Sequence, residues 1–218
     1  MRRDLVVTED LPASAVAVFL ALAPRTVALT GGTTLVAVHE RLAAIPYTWN
    51  SVDVFFGDER CVPREHPDSN VGMGYRTLLD RVPARGHPID GEACDAEAYE
   101  RDLRETLGER PAIDLVFLGL GPDGHVASLY PGHPTLEERS RWVVHVPEPG
   151  LPPPHPRITM TLPVLSAARA VAFLVEGAEK RQALADLMAG NDIPASRVEA
   201  QRVVILADPD AAGGLSSR

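Results

Sequence analysis

The sequence predicts an α/β fold in which a mainly parallel β-sheet is covered by helices on both faces. Short apolar runs rich in valine, leucine, isoleucine and phenylalanine alternate with longer helix-like segments, which is typical of successive β-α units. These runs are too apolar for one face to meet water, as expected of strands buried on both sides. The length of 218 residues fits one domain, and we expect residues 1–218 to form it.

Each element has its own pattern. The predicted strands are the apolar runs Val27–Leu29, Val52–Phe56, Leu115–Leu118, Val171–Val175 and Val203–Leu206, joined by the less regular Trp142–Val146 and Ile158–Leu162. The predicted helices are Pro12–Ala23, Thr34–Ala44, Val71–Leu79, Ala96–Leu107, Pro163–Ala168 and Glu179–Ala189. We expect the proline-rich segment Pro147–Pro156 to be a loop and the tail Ala211–Arg218 to be frayed.

Composition excludes several classes of protein. With 21 Lys+Arg against 30 Asp+Glu the formal net charge is −9, so we expect no nucleic-acid partner. No apolar run reaches the ~20 residues that span a bilayer, and no membrane partner is expected. Nothing in the sequence indicates an obligate protein partner.

Two features bear on cellular location. Arg2 and Arg3 before an apolar run imitate a secretory signal, but acidic residues interrupt the basic segment, and we expect a helix there instead. Cys61 and Cys94 lie far apart without a metal-binding spacing. We therefore expect neither a disulfide nor a zinc module, and a reducing cytoplasm.

Four predicted strands run directly into polar loops that contain glycine. The loops are Thr30–Thr34, Gly57–Arg60, Gly119–His125 and Glu176–Lys180. Ligands of open α/β sheets bind outside the carboxyl ends of the strands. We therefore expect these loops to converge on one site.

The first loop has the composition of a phosphate site. Gly31 and Gly32 allow backbone amides to approach an anion, and Thr33 and Thr34 add hydroxyl donors at a helix N-terminus. The loop matches neither GxGxxG nor GxxxxGK[ST], so neither a dinucleotide nor a nucleoside triphosphate is favoured. A plain strand–turn–helix junction is the alternative.

The third loop presents a candidate catalytic histidine. Gly121 and Gly124 form a tight turn that exposes Asp123 and His125, and the residues after it, 126–129, resemble a short helical turn. A histidine at such a strand end is suited to proton transfer at neutral pH. The alternative is a histidine that only satisfies backbone groups of the turn.

Charged and polar residues also follow the second strand. Asp58, Glu59 and Arg60 end a buried strand, where an unpaired charge is costly, so at least one should face a ligand. An internal ion pair is the alternative. His66 and Asn70 follow; the segment 68–70 could cap the next helix, or Asn70 could contact a substrate.

Lys180 is the single lysine of the chain, against 20 arginines. Where arginine is so strongly preferred, a remaining lysine indicates a need for a compact ammonium on a flexible stem. Its position after Gly177 favours a phosphate contact, although chance survival is the alternative.

Four segments together resemble the 6-phosphogluconolactonase family. They are TGGTTL (30–35), FFGDERCVPREHPDSN (55–70), DLVFLGLGPDGHVASLYPGHP (114–134) and RITMTLPVLSAARAVAFLVEGAEK (157–180). The resemblance implies a Rossmann-like three-layer α/β sandwich and hydrolysis of 6-phospho-D-glucono-1,5-lactone to 6-phosphogluconate in the pentose phosphate pathway. It implies a sugar-phosphate lactone as the partner and no cofactor.

The resemblance also implies roles for single residues. His125 corresponds to the general base, Arg60 to the arginine near the substrate, Gly32 and Thr33 to phosphate-binding residues, and Arg157 and Lys180 to basic phosphate ligands. Gly31, Thr34, His66, Asn70 and Gly121 are further candidates for substrate binding.

Three points stay open. Leu35 stands where the family often has proline, which puts the start of the helix in doubt. Arg157 begins its predicted strand, so either that strand is antiparallel or the arginine reaches in from the side. Either Asp58 or Asp123 could orient the imidazole of His125.

No metal site is expected. Asp123 and His125 are a tempting pair of ligands, with His133 nearby in sequence. A catalytic zinc, however, usually takes three protein ligands with outer support, and neither Cys61 nor Cys94 has a metal-binding spacing. The alternatives to the lactonase are a glucosamine-6-phosphate deaminase, against which GDER argues, and a non-enzymatic sugar-phosphate sensor, which has no need of His125.

Overall fold

The computed structural model describes residues 3–149 and 153–215. Its strands are β1 Arg3–Val7, β2 Thr26–Leu29, β3 Asp53–Phe56, β4 Asp58–Arg60, β5 Arg85–His87, β6 Leu115–Gly119, β7 Val143–Val146, β8 Arg157–Met160, β9 Ala170–Val175 and β10 Arg202–Ala207. Seven of them form one sheet in the order β1-β10-β9-β6-β2-β3-β5, and every neighbouring pair is parallel. The predicted parallel α/β sheet is confirmed.

The helices pack around this sheet. They are α1 Leu11–Leu22, α2 Thr33–Ala43, α3 Asn70–Gly74, α4 Ala96–Leu107, α5 Leu162–Ala167, α6 Arg181–Ala189 and α7 Pro209–Ala212. A π-helical segment, Tyr75–Leu79, continues α3, and a 3-10 turn, Ala178–Lys180, precedes α6. Helices α1 and α2 pack on each other and on the sheet.

Burial explains why the central strands are so apolar. All six residues of β9 are buried, because helices cover both faces and strands β10 and β6 flank it in the sheet. The five phenylalanines of the chain are all fully buried. Removing this much apolar surface from water is the main force that stabilises the fold.

Polar side chains at the helix starts explain several boundaries. Asp10 accepts a hydrogen bond from Ala13 N–H at 2.9 Å at the start of α1, and Asp95 accepts from two amides at the start of α4. Ser69 caps α3 through Gly72 N–H, so the predicted cap within 68–70 is confirmed. Such caps satisfy amides that have no partner inside the helix.

A second sheet carries two charged residues of the predicted site. Strands β4, β8 and β7 are antiparallel, and Arg60 lies directly opposite Arg157. The open question about Arg157 is thereby resolved, because its strand is antiparallel. Asp58, Glu59 and Arg60 form strand β4 and not the predicted loop, since they pair with β8.

Two predictions about the loops and the tail are wrong. Residues 126–129 form a tight turn closed by a bridge between Val126 and Leu129, not a helical turn. Ala211 and Ala212 are buried in α7 and not frayed. The end of the tail, residues 216–218, and part of the predicted loop, residues 150–152, lie outside the described residues.

The expectation of unpaired cysteines is also wrong. Cys61 and Cys94 form a disulfide, with their Cα atoms 5.2 Å apart. The two cysteines are 33 residues apart in sequence, so their spacing does not indicate this contact. The contact arises because the loop after β5 folds back against the end of β4. The backbones are so close there that a Cβ at Gly91 would overlap the Val62 and Arg60 carbonyls. The argument for a reducing compartment therefore loses its basis.

Among the described residues, no helix combines the length and apolarity needed to cross a bilayer.

Candidate active site

A cavity of about 420 Å³ lies at the carboxyl ends of β2, β6 and β9. Its lining includes residues of all four predicted loops: Thr30, Gly31, Gly32, Thr33, Thr34, Asp58, Arg60, Gly119, Gly121, His125, Glu176, Gly177 and Lys180. Asn70 and Arg157 complete this polar lining. The predicted convergence of the loops is confirmed.

One end of the cavity has the geometry of an anion site. Helix α2 begins at Thr33, directly after Gly32, whose φ of 121° is strained for any residue with a side chain. A Cβ at Gly31 would overlap the side-chain amide of Asn70. The first amides of a helix lack partners inside it and attract negative charge. The helix starts at Thr33 despite Leu35, which resolves the doubt raised by that residue.

The loop after β9 brings a cation to the same cavity. Lys180 is half-buried in the 3-10 turn that follows Gly177, where φ is 96°. The carboxylate of Asp208 accepts from Gly177 N–H at 3.1 Å and also caps α7. Asp208 thus fixes this loop. Asp208 was not among the predicted site residues, although a polar residue directly after β10 is a strand-end signal of the same kind.

The loop after β6 holds His125 in one orientation. Gly121 N–H donates to the His125 carbonyl at 2.9 Å, and a Cβ at Gly121 would overlap the imidazole. The ring nitrogen Nδ1 lies 2.6 Å from Asp123 Oδ1. Asp123, not Asp58, therefore contacts the imidazole.

The Asp123 contact also determines which ring nitrogen is available. Burial acts to raise the pKa of Asp123, but hydrogen bonds from the His125 backbone and ring lower it on balance. The group is thus a carboxylate at neutral pH and accepts the proton of Nδ1. The other nitrogen, Nε2, is then free to take a proton.

Two guanidinium groups, those of Arg60 and Arg157, also line the cavity. Arg157 is buried and donates to the Pro153 carbonyl at 3.2 Å, while Arg60 donates to the Asp68 carbonyl. Among the described residues, Nε of each arginine is buried without a hydrogen-bond partner. Unsatisfied buried donors of positive charge favour an anionic or oxygen-rich ligand.

The carboxylates beside Arg60 organise the same wall. Asp58 accepts from Ser128 Oγ at 2.7 Å and from Asn70 Nδ2 at 3.1 Å. Glu59 is buried, which raises its pKa, and accepts from Ser69 Oγ and the amides of Asn70 and Val71. Asp58 and Arg60 face the cavity, as the sequence predicts for at least one member of this cluster.

Two predicted residues do not line the cavity. Asp123 lies behind His125, which it contacts. His66 lies outside, where its Nδ1 accepts from Asp68 N–H. Ser128, within the predicted helical turn 126–129, instead donates to Asp58 from a tight turn.

The arrangement suits proton transfer to or from a bound sugar phosphate. Its parts are a histidine oriented by a carboxylate, unpaired arginine donors and a separate anion site with a lysine. Such a set can activate water, stabilise an oxyanion and hold a remote phosphate.

Comparisons with known proteins are consistent with this chemistry. The family described as glucosamine-6-phosphate isomerases/6-phosphogluconolactonase matches residues 7–206. The 6-phosphogluconolactonase of Synechocystis sp. is 41% identical over 175 residues, which are 75% of this chain and 71% of that protein. The 6-phosphogluconolactonase of Pseudomonas putida is 38% identical over 176 residues, 77% of this chain and 71% of its own.

Solved structures show the same fold. The 6-phosphogluconolactonase from Thermotoga maritima superposes with a TM-score of 0.86 at 27% identity, covering 95% of this chain and 100% of its own. A monomeric glucosamine-6-phosphate deaminase superposes with a TM-score of 0.82 at 22% identity, covering 98% of this chain and 99% of its own, and shows the shared fold alone. The chain therefore belongs to the family of glucosamine-6-phosphate isomerases and 6-phosphogluconolactonases.

Proposed function

We propose that this protein hydrolyses 6-phospho-D-glucono-1,5-lactone to 6-phosphogluconate, a step of the oxidative pentose phosphate pathway, and that His125 is the general base. The observation that carries the proposal is the Asp123–His125 pair at 2.6 Å on the wall of a cavity that also holds Lys180. Relatives that match most of this chain are named for this reaction.

The chemical step needs one base and one group that stabilises negative charge. Nε2 of His125 takes a proton from water as the water oxygen attacks C1 of the lactone, and the C1 carbonyl becomes an oxyanion. A guanidinium such as that of Arg60 stabilises this oxyanion. The bond from C1 to the ring oxygen then breaks, and the ring oxygen takes the proton to become a hydroxyl.

Asp123 acts through His125 and not on the substrate. Its carboxylate holds the Nδ1 proton, so Nε2 faces the cavity in the form that accepts a proton, and it stabilises the imidazolium that results. Asp58 has a supporting role, since its oxygens already accept from Ser128 and Asn70.

The phosphate end supplies positioning. We assign the phosphate to Gly31, Gly32, Thr33 and Thr34 with Lys180 and Arg157, and the sugar to Asn70 and Gly121, all on the cavity wall. A phosphate held there fixes C1 near His125, which converts binding energy into orientation. The cations are local, which explains how a chain of net charge −9 binds an anion.

Acid release tests this proposal directly. The lactone is added to the protein in a pH-stat, spontaneous hydrolysis is subtracted, and base consumption is recorded. We expect one proton per lactone, and no ammonia from glucosamine-6-phosphate. Ammonia release without lactone hydrolysis would instead identify a deaminase, and neither activity, with 6-phosphogluconate bound, would identify a sensor.

We keep the cytoplasm as the proposed location, because the proposed substrate belongs to central carbohydrate metabolism. The disulfide is unusual for this location, because such bonds are rare in the cytoplasm. Thiol titration of protein trapped directly from cells would test it.

A further inference from the structure

Three potential metal ligands meet outside the cavity. His66 and Asp68 lie in the loop after β4, and His155 comes from the segment that leads into β8. Their ligand atoms all lie within 4.8 Å of one another. None of the three lines the cavity, so the proposed hydrolysis does not use them.

The distances are close to those of a tetrahedral metal site. Asp68 Oδ2 lies 3.1 Å from His155 Nε2 and 3.8 Å from His66 Nδ1. Ligands bound to zinc at about 2.0–2.1 Å lie about 3.4 Å from one another in a tetrahedron. The two Asp68 distances are within about 0.4 Å of that spacing, and the two histidine ligand atoms lie within 4.8 Å of each other.

The local hydrogen bonds prepare these groups to bind a cation. Asp68 N–H donates to His66 Nδ1 at 3.1 Å, which places the proton of this ring on Nε2. An ion at the cluster would take the Nδ1 lone pair in place of this hydrogen bond. Arg60 donates to the Asp68 carbonyl and so holds that residue through its backbone, without occupying the carboxylate. The rings of His66 and His155 pack edge to face, with their centroids 5.3 Å apart and their planes at 83°.

We propose that His66, Asp68 and His155 form a binding site for a divalent transition metal of the zinc class, with the fourth position open to water. Two imidazoles and one carboxylate are a ligand set that suits zinc, whereas magnesium and calcium prefer oxygen ligands. The side chains are 31–37% exposed, so an ion can enter from solvent. The bound ion would join the loop after β4 to the segment before β8.

A second cluster of potential ligands provides a control that distinguishes the two candidate metal sites. Cys61, Cys94 and His145 also lie within 4.8 Å of one another, but their thiols are joined in the disulfide. Without reductant, only the site at His66, Asp68 and His155 retains its ligands.

Isothermal titration calorimetry tests the proposal on the full chain, without an affinity tag, stripped with EDTA and kept free of reductant. Zinc chloride should bind at one equivalent, and magnesium chloride should not bind. His155→Ala should weaken zinc binding by about 100-fold, because a ligand is lost. The matched control His145→Ala, in the second cluster, should bind zinc as the wild type does.

Two results would overturn the proposal: absence of zinc binding by the wild type, or equal binding by His155→Ala. Loss of binding in His145→Ala alone would assign the metal to the cysteine cluster. Circular dichroism checks that each variant is folded. If His155→Ala does not fold, His155→Asn takes its place in the titration. Cobalt bound in place of zinc should show visible absorption without thiolate-to-metal charge transfer.

Discussion

Lys180 has a position that no other basic residue of the sequence duplicates. It is the single lysine, and it follows Gly177 on the cavity wall. Lys180→Ala should weaken the binding of 6-phosphogluconate by about 1.5–3 kcal/mol, the scale of a charge-assisted hydrogen bond. Calorimetric titration measures this, and the turnover of unphosphorylated gluconolactone should hardly change.

Arg181→Ala is the matched control for this prediction. It removes the same charge one residue away, but Arg181 is exposed, donates to the Asp210 carbonyl and lies outside the cavity. If both variants bound 6-phosphogluconate as the wild type does, Lys180 would be an ordinary surface lysine.

His39 should make stability depend on pH. It is fully buried on α2, and its Nδ1 lies 3.0 Å from Thr77 Oγ1, whose proton goes to the Met73 carbonyl. Nδ1 is therefore the donor, and among the described residues Nε2 has no hydrogen-bond partner. A proton on Nε2 would be an unpaired buried charge, and burial lowers the pKa of His39 to about 4.

The direction of this pH dependence follows from the protonation of His39 in the folded and the unfolded chain. Below about pH 6.5 His39 is protonated in the unfolded chain, whereas in the folded chain it stays neutral down to about pH 4. The free energy of unfolding should therefore fall as pH falls through this window, with about 2 kcal/mol lost by pH 5 through this group. Urea unfolding at pH 7 and pH 5 measures it. His39→Leu should lose less between the two pH values than the wild type, and an equal loss would contradict the assignment.

The best predictions of single residues were those in which an unusual side chain follows the end of a predicted strand. His125, Arg60 and Lys180 stood out as unusual residues at strand ends, and all three line the cavity; their roles stay predictions. His66 was misplaced because its motif gives no direction for the side chain. Its ring contact with His155 depends on the packing of two loops, as does the contact of its neighbour Asp68 with His155, 87 residues away.

Among the elements, predictions succeeded where the pattern was long and locally determined. Helix α4 has the predicted bounds, because Asp95 caps it and Gly108 follows its end. Strands β4 and β5, Asp-Glu-Arg and Arg-Gly-His, have three residues each and no apolar alternation. They exist through pairing with distant strands, a tertiary effect that propensity does not reveal.

The disulfide joins the end of β4 to the loop after β5 and should stabilise both. It closes a loop across 33 residues, for which restriction of the unfolded chain contributes about 3–4 kcal/mol. Reduction with dithiothreitol should lower the free energy of unfolding by that order, measured by urea denaturation.

A double variant, Cys61→Ser with Cys94→Ser, is the control for the effect of reduction. Its stability should be lower than that of the oxidised wild type and indifferent to dithiothreitol. A wild type that is equally stable with and without reductant would mean that the bond contributes nothing in solution.

The whole molecule has a negative net charge, and the cations that line its cavity come from distant loops. Its affinity for an anion therefore depends on how the sheet brings those loops together. The sequence was sufficient to predict this convergence, because parallel strands end at one edge. It was insufficient for the second sheet, whose antiparallel pairing of Arg60 with Arg157 depends on contacts across 97 positions of the chain, from 60 to 157.

The proposed reaction needs no metal, because His125 and a guanidinium supply the base and the oxyanion contact. The proposed zinc site lies outside the cavity. Activity should therefore survive exhaustive EDTA treatment and stay unchanged when zinc or magnesium is restored. Loss on chelation in the wild type and in His155→Ala alike, with recovery on adding one metal, would make His125 a ligand instead of a base.

In our proposal, hydrolysis of the phosphorylated lactone in the assembled cavity depends on His125. The decisive measurement is the kcat of His125→Ala for 6-phosphogluconolactone, with spontaneous hydrolysis subtracted and His133→Ala as control. His133 lies outside the cavity and bonds to Thr135. We expect kcat of His125→Ala to fall by about 10²–10⁴ with the fold intact, and that of His133→Ala to stay near wild type. Near-normal turnover by folded His125→Ala would contradict the claim.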